Sequence, residues 1–296
     1  MKVQHDIVFI GHVARGEMQP FEGTTHIVAG AVQFSAMAAA SWSNKKIAVI
    51  TRAAEHDRDM LDEMRRAGIV IYVQPSTEST FMRVVHPTPD PDERSIYMVT
   101  SAGYLSIDEL PQIEPCYAHL VGMTDQEFTI GYMAKLRDRG FTVSVDMQSF
   151  VRQVDRDSGT VYVKDVELKK DIAAMSSKVK LDVVEARVLT GSENLEDAGK
   201  VFESWGTAET LVTSSKGVLV RSNGRSYFEP YSNSSNAGRT GRGDSTFAAY
   251  LTYRIDHDIA ASVKFAAALA SIKMERPGVF KGSLQEILER VRACYS

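Results

Sequence analysis

The chain has 296 residues of ordinary globular composition, enough for one large α/β domain or two modest ones. Lys and Arg number 34 against 38 Asp and Glu, and the net charge of −4 gives no reason to expect a nucleic-acid or anionic-membrane surface, so any anionic ligand must be met locally. The two cysteines, Cys116 and Cys294, match no metal spacing and are few for a secreted framework; no run nears the roughly 20 apolar residues of a membrane span, and the chain reads as soluble and cytoplasmic.

Short β-branched runs recur along the chain: HDIVFIG at 5–11, KKIAVIT at 45–51, GIVIYV at 68–73, AHLVGM at 118–123, FTVSVDM at 141–147 and TLVTSS at 210–215. Stretches of helical spacing lie between them, at 56–68, 124–140 and 194–206, each closed by a glycine that stops a helix. Strands alternating with helices imply parallel βαβ units. Two segments break the rhythm. Residues 14–28 are polar and irregular, and 76–102 reads as a hairpin around a Pro-Thr-Pro-Asp-Pro-Asp turn, an insertion of the kind that covers a ligand site or merely decorates a surface. Arg83 and Arg94 on that hairpin read as solvated charge.

After a strand pair over 217–229, a polar segment leads into three helical stretches. Phe247, Tyr250, Leu251 and Ile255 share one helical face, and Val263, Ala266, Ala267 and Ala270 share another; both stripes read as core. No repeat or linker divides the chain, so a single domain over 1–296 is expected, with lid insertions near 14–28 and 74–102.

The pentapeptide Gly241-Arg242-Gly243-Asp244-Ser245 has two readings: an exposed adhesion sequence, which a cytoplasmic chain has no use for, or a glycine turn opening a helix near Asp244. In the second, the N–H groups of Gly241, Arg242 and Gly243 converge on an anion, favoured by about half a unit of positive charge at a helix start. Asp244 is then either a simple N-cap, worth on the order of 1 kcal/mol, or a base beside a phosphate nest, the arrangement phosphoryl transfer needs.

The segment resembles the second signature of the PfkB, or ribokinase-like, carbohydrate kinases, with Arg242 at a place where alanine is usual. The likeness extends to GHVARG after the first strand, VAGAVQFSAMAAASW at 28–42, VSVDMQ at 143–148 and DVVEARVLTG at 182–191. It implies a three-layer α/β sandwich around a mostly parallel sheet with a small β lid, and ATP-dependent transfer of the γ-phosphoryl group to a hydroxyl of a sugar or cyclitol. By that resemblance Asp244 is the catalytic base, and Gly241, Arg242 and Gly243 form the anion hole. Glu185 organises Mg²⁺ through water, and Thr213, Ser214, Lys216, Gly217, Ala267 and Ser271 receive the nucleotide. The acceptor, a small polyhydroxylated molecule, is met by His12, Gly30, Gln33 and Phe34.

The acceptor end departs from the family pattern. Ala29 to Phe34 stand where Gly-Gly-x-x-x-Asn is usual, Arg15 and Gly16 lie near a missing acid, Asp182 replaces an asparagine and Ser214 a glycine. Asp146, Gln148 and Arg152 are similar to the Asp-x-Gln-x-x-x-Arg segment of the family's inositol kinases and, at a strand's C-terminal end, would contact a polyol. Ribose, fructose-type sugars and nucleosides stay open as acceptors, as does an idle sugar- or nucleotide-binding sensor. A nicotinamide oxidoreductase would want Gly-x-Gly-x-x-Gly after the first strand, where GHVARG stands. The protein is expected as a monomer or as a homodimer paired through the lid.

Overall fold

The computed structural model describes residues 2–89 and 94–295; the end of the Pro-Thr-Pro-Asp-Pro-Asp turn lies outside the described residues. The first strand, β1 (Ile7–Ile10), is buried along its whole length and alternates its side chains between two cores. Ile7 and Phe9 enter one, Val8 and Ile10 the other, as the two-residue period of a strand covered on both faces requires.

The chain then leaves the sheet for β2 (Ala14–Gln19) and β3 (His26–Ala29), and returns through α1 (Ala31–Ala40) to β4 (Ile47–Ala54). A 3-10 turn and α2 (Asp62–Arg66) lead to β5 (Val70–Ser76), and a second excursion forms β6 (Thr80–Val85) and β7 (Ser95–Thr100). The middle of the chain gives β8 (Tyr117–Leu120), α3 (Ile130–Asp138), β9 (Thr142–Asp146), α4 (Gln148–Val151), the small pair β10 (Arg152–Val154) and β11 (Val161–Val163), and α5 (Lys169–Met175). Next come β12 (Lys178–Asp182), α6 (Val183–Thr190), α7 (Leu195–Ser204), β13 (Glu209–Thr213), β14 (Gly217–Ser222) and β15 (Arg225–Pro230). Three helices close the chain: α8 (Arg242–Tyr253), α9 (Ile259–Met274) and α10 (Leu284–Cys294).

The main sheet has nine strands in the order β15-β14-β13-β12-β9-β8-β1-β4-β5. From β13 to β5 neighbouring strands are parallel, and β14 and β15 add an antiparallel edge. Residues of α1, α8 and α9 build one core, and those of α3, α5, α6 and α7 the other, which makes three layers. After β1 the chain adds β4 and β5 on one side and β8 onward on the other, so order reverses beside β1, the place where an open α/β sheet leaves a crevice at its strand ends.

The two excursions meet in a separate four-stranded sheet, β3-β2-β6-β7. Both hairpins are antiparallel, and β2 and β6 join them in parallel. A lone hairpin is marginal in water, so each insertion needs the other. No helix among the described residues is long and apolar enough to cross a membrane.

At the crevice the backbones of β1 and β8 approach closely. A Cβ on Gly11 would stand 2.5 Å from the Val121 carbonyl oxygen, closer than such atoms come. Gly11→Ala is expected to lower unfolding free energy by about 1–3 kcal/mol, the usual range for overpacking, read from the denaturant midpoint.

Candidate active site

The helix α8 begins at Arg242, two residues before Asp244, with Gly241 as its N-cap at φ 78°. That left-handed conformation suits glycine, and space excludes anything larger, since a Cβ there would lie 2.3 Å from the Phe34 ring. The early start corrects the expected anion hole. The Arg242 N–H donates to the Arg239 carbonyl, whereas those of Gly241, Gly243 and Asp244 meet no acceptor among the described residues. Arg242 contributes its side chain instead, with the guanidinium over the Tyr231 ring at 5.6 Å.

Asp244, in the first turn, points into the crevice. Gln148 Nε2 donates to its Oδ1 at 3.2 Å. Burial raises the Asp244 pKa, opposed by the Lys180 and Arg152 cations and by the Gln148 hydrogen bond. Lys180, on β12, carried no motif in the sequence. Its ammonium is buried, lies 3.0 Å from Asp146 Oδ2 and 3.9 Å from Glu185 Oε2, and sits against Gly243, 3.1 Å from where a Cβ would be. The approach of Asp146, Glu185 and Asp182 holds it protonated despite burial.

Around this lysine the strand ends supply the rest. Asp146 closes β9 fully buried, its Oδ1 accepting the Gln148 N–H, so it lies beneath the crevice and positions Gln148 and Lys180. Burial raises its pKa to about 6 against the pull of Lys180. Asp182 caps α6 and Glu185 returns the bond to the Asp182 N–H, a complete capping box. Glu185, pushed up to about 7 by burial and by Asp182, also accepts from Arg152 Nη2 at 3.2 Å. Both its oxygens are thus engaged by protein donors.

Arg94, at the foot of β7, keeps solvent contact as a residue, yet its guanidinium comes within electrostatic reach of Arg152, Arg239, Asp182 and Glu185. Burial and then Arg152 lower its pKa. Arg83 and Arg94 are both exposed, as solvated charge on this sheet would be; Arg83 pairs with Glu17, and Arg94 in addition feels the charges of the crevice. With Arg94, Arg152, Lys180, Arg239, Arg242 and Lys273 near Asp146, Asp182, Glu185 and Asp244, cations outnumber carboxylates at the end of α8. A surface depression lined by Arg254, Asp256, His257 and Asp258 lies at the opposite end of that helix, away from this charge.

Several predicted acceptor residues are scaffold. Gln33 Oε1 accepts from the Gly30 N–H at 2.8 Å and the Ala14 N–H at 3.1 Å, capping α1 and tying it to the lid. Gly30 is that helix's N-cap. Phe34 is buried between Gly241 and the Lys273 ammonium, which stands 5.0 Å from its ring centroid, and so shapes the anion turn. His12 is fully buried; its Nδ1 pairs with Thr80 Oγ1 at 2.8 Å and its N–H donates to Glu127 Oε2 at 2.7 Å. Burial lowers its pKa to about 3, so the ring is neutral. Gln148 and Arg152 do reach the crevice.

The nucleotide residues divide likewise. Ser214, Lys216 and Gly217 form the turn between β13 and β14, with Ser214 partly exposed and Lys216 exposed. Thr213, Ala267 and Ser271 line no open surface: all three are buried. The Ser271 hydroxyl donates to the Ala267 carbonyl, accepts from the Ser232 N–H and meets Tyr295 Oη at 3.2 Å. Tyr295 Oη in turn donates to Ser232 Oγ.

No protein-family model matches the sequence, and a search of curated proteins returns no match. Solved structures do match. A sulfate complex of a pyrophosphate-dependent kinase in the ribokinase family is 29% identical over 96% of this chain and 99% of its own, with a TM-score of 0.88. A pyrophosphate-dependent kinase of that family, complexed with a pyrophosphate analogue and myo-inositol, is 28% identical over 96% and 99%, with a TM-score of 0.86. Arabidopsis thaliana ribokinase, complexed with ribose and ATP, is 16% identical over 99% of each chain at a TM-score of 0.76, a likeness of fold alone. A three-layer sandwich with a separate four-stranded sheet, a glycine turn that presents an acid beside amides with no acceptor among the described residues, and likeness along almost the whole chain lead to one conclusion: the chain is similar over nearly its full length to kinases of the ribokinase family, which supports a phosphotransferase with an alcohol group as acceptor.

Proposed function

We propose that the protein is a cyclitol kinase of inositol type that takes its phosphoryl group from inorganic pyrophosphate. The observation that carries the kinase reading is Asp244, held by Gln148 at the lip of the unpaired Gly241 and Gly243 N–H groups. Asp244 takes the proton of the acceptor hydroxyl as its oxygen attacks phosphorus, the bond to the leaving phosphate breaks, and the amides with Lys180 and Arg242 hold the charge that develops. Gln148 and Arg152 stand where ring hydroxyls would be met, and the myo-inositol complex of a relative favours that acceptor over ribose, fructose-type sugars and nucleosides.

For the donor, the excess of cations suits a short, highly charged anion. The surface expected to receive a purine is closed by Ser232, Ser271 and Tyr295, and relatives at 28–29% identity are pyrophosphate-dependent. ATP is the second reading, favoured by the exposed Ser215-Lys216 turn. Among the described residues no three carboxylates, histidines or cysteines cluster as a metal cage, and Glu185 is engaged on both oxygens. This set fits a Mg²⁺ ligated by phosphate and water, with Asp182 and Glu185 beyond its water shell; the ion would neutralise phosphate charge when bound. The retained acid and open amides argue against an idle sensor.

Product formation with myo-inositol, other inositols, pentoses, hexoses and nucleosides, each offered with pyrophosphate and with ATP, tests the reading; the highest kcat/KM is expected for an inositol with pyrophosphate. Turnover with ATP alone would overturn the donor, and silence across the panel the kinase. Asp244→Asn is expected to lower kcat at least about a hundredfold with substrate binding nearly intact, and near wild-type turnover would remove Asp244 as base. The active form of Asp244 is ionised and its pKa is raised, so kcat/KM falls with falling pH above the ordinary carboxylate range. Arg152→Gln, which removes a cation that favours ionisation, is expected to move that limb to higher pH in the pH–rate profile.

A further inference from the structure

Lys273, near the end of α9, is 1% exposed and carries an ammonium with no carboxylate in ion-pair distance among the described residues. Asp244 acts on it only at longer range, and burial lowers its pKa to about 8. An uncompensated buried charge is costly, so the side chain needs a reason to be there. Its partners supply one. Nζ donates to the main-chain carbonyls of Gly238 and Thr240, under the face of Phe34. The segment is pressed onto the end of α9: the Gly238 N–H donates to the Met274 carbonyl at 2.7 Å, and a Gly238 Cβ would stand 1.9 Å from the Arg276 carbonyl oxygen.

The Thr240 carbonyl and the Gly241 N–H belong to one planar trans peptide and point in opposite directions. Fixing the oxygen on Lys273 therefore aims the N–H away from it, toward the crevice, where it has no acceptor among the described residues. Neutral carbonyls converging on one positive centre are also the donor set by which proteins hold a monovalent cation. We infer that Lys273 is a tethered cation that aims the Gly241 amide into the anion site, and that the protein needs no free monovalent cation at this loop. Lys273 is thus a positioning residue that acts through the backbone. The catalytic consequence rests on the kinase reading, and the cation place on the two carbonyl bonds of Lys273 alone.

Wild type and Lys273→Met, compared in sodium, potassium and ammonium chlorides at equal ionic strength, test it. Wild-type rates are expected to be equal in the three salts. Lys273→Met in sodium is expected to lose roughly a hundredfold in kcat, the scale of one misaligned oxyanion donor, with acceptor KM little changed, and to recover in potassium or ammonium. Wild-type activation by potassium, a folded variant as active as wild type in sodium, or a folded variant that no cation restores would overturn the proposal. If Lys273→Met does not fold, Lys273→Gln takes its place, and if neither folds the wild-type salt comparison decides alone. Thermal unfolding in the same salts needs no phosphoryl transfer: potassium or ammonium is expected to raise the Tm of the variant over that in sodium and to leave wild type unmoved. An inactive wild type whose variant still shows that rise overturns the kinase reading and keeps the cation place; no rise overturns the cation place.

Discussion

A helix start attracts an anion only if its first N–H groups are not satisfied by the chain itself, and everything at this site follows from how that condition is met at Gly241. The residue turns the backbone through a left-handed conformation at φ 78°, and Phe34 lies so near its Cα that no side chain fits. The turn leaves the amides of Gly241, Gly243 and Asp244 without an acceptor among the described residues, while the Arg239 carbonyl takes that of Arg242. An aromatic ring on α1 thus does for the backbone what a capping side chain does elsewhere, with the opposite result: it keeps donors open.

Open donors alone would not make a base useful. A carboxylate set among Asp146, Asp182 and Glu185 would take up a proton and hold it, because each acid raises the pKa of the next in a poorly solvated place. Lys180 and Arg152 counter this, and their lodging between the acids is what keeps Asp244 able to ionise. The same cations lie under the place where phosphate charge would gather. Burial, ion pairing and chemistry are thus set by one group of side chains at the ends of β9 and β12. Such a group confers little net stability, since removing ions from water offsets much of their attraction, and its retention is better explained by what it does to charge in the crevice.

Much of this was legible in the sequence where function resides in the main chain. Gly-x-Gly-Asp followed by small and apolar residues specifies a turn and a helix, and the alternation of β-branched runs with glycine-stopped helices specifies the parallel sheet. The acceptor end was less legible, because His12, Gln33 and Phe34 are the right residue types in the right loops but are engaged by partners far away in sequence: Thr80 and Glu127, Ala14, and Gly241. Spacing carries no information about such contacts. Lys180 in KVKLD and Lys273 near the end of an alanine-rich helix escaped notice because neither falls in a motif and their partners are distant in sequence. The available signal was their place inside a strand and a helix that read as core: a lysine buried there must answer a charge or a set of carbonyls.

The pairing of His12 with Thr80 has a mechanical consequence for the small sheet. His12 lies in the connection from β1 to β2, and Thr80 opens β6 just after β5, so the bond joins the two stalks by which that sheet leaves the body of the molecule. Beside it the Val13 N–H donates to Thr51 Oγ1 and the Ala54 N–H to Ser79 Oγ, fastening each stalk to β4. Two stalks fastened at one height give the β2–β3 and β6–β7 hairpins one common footing, so the small sheet is carried on the body of the molecule as a unit, and Arg94 is carried with it.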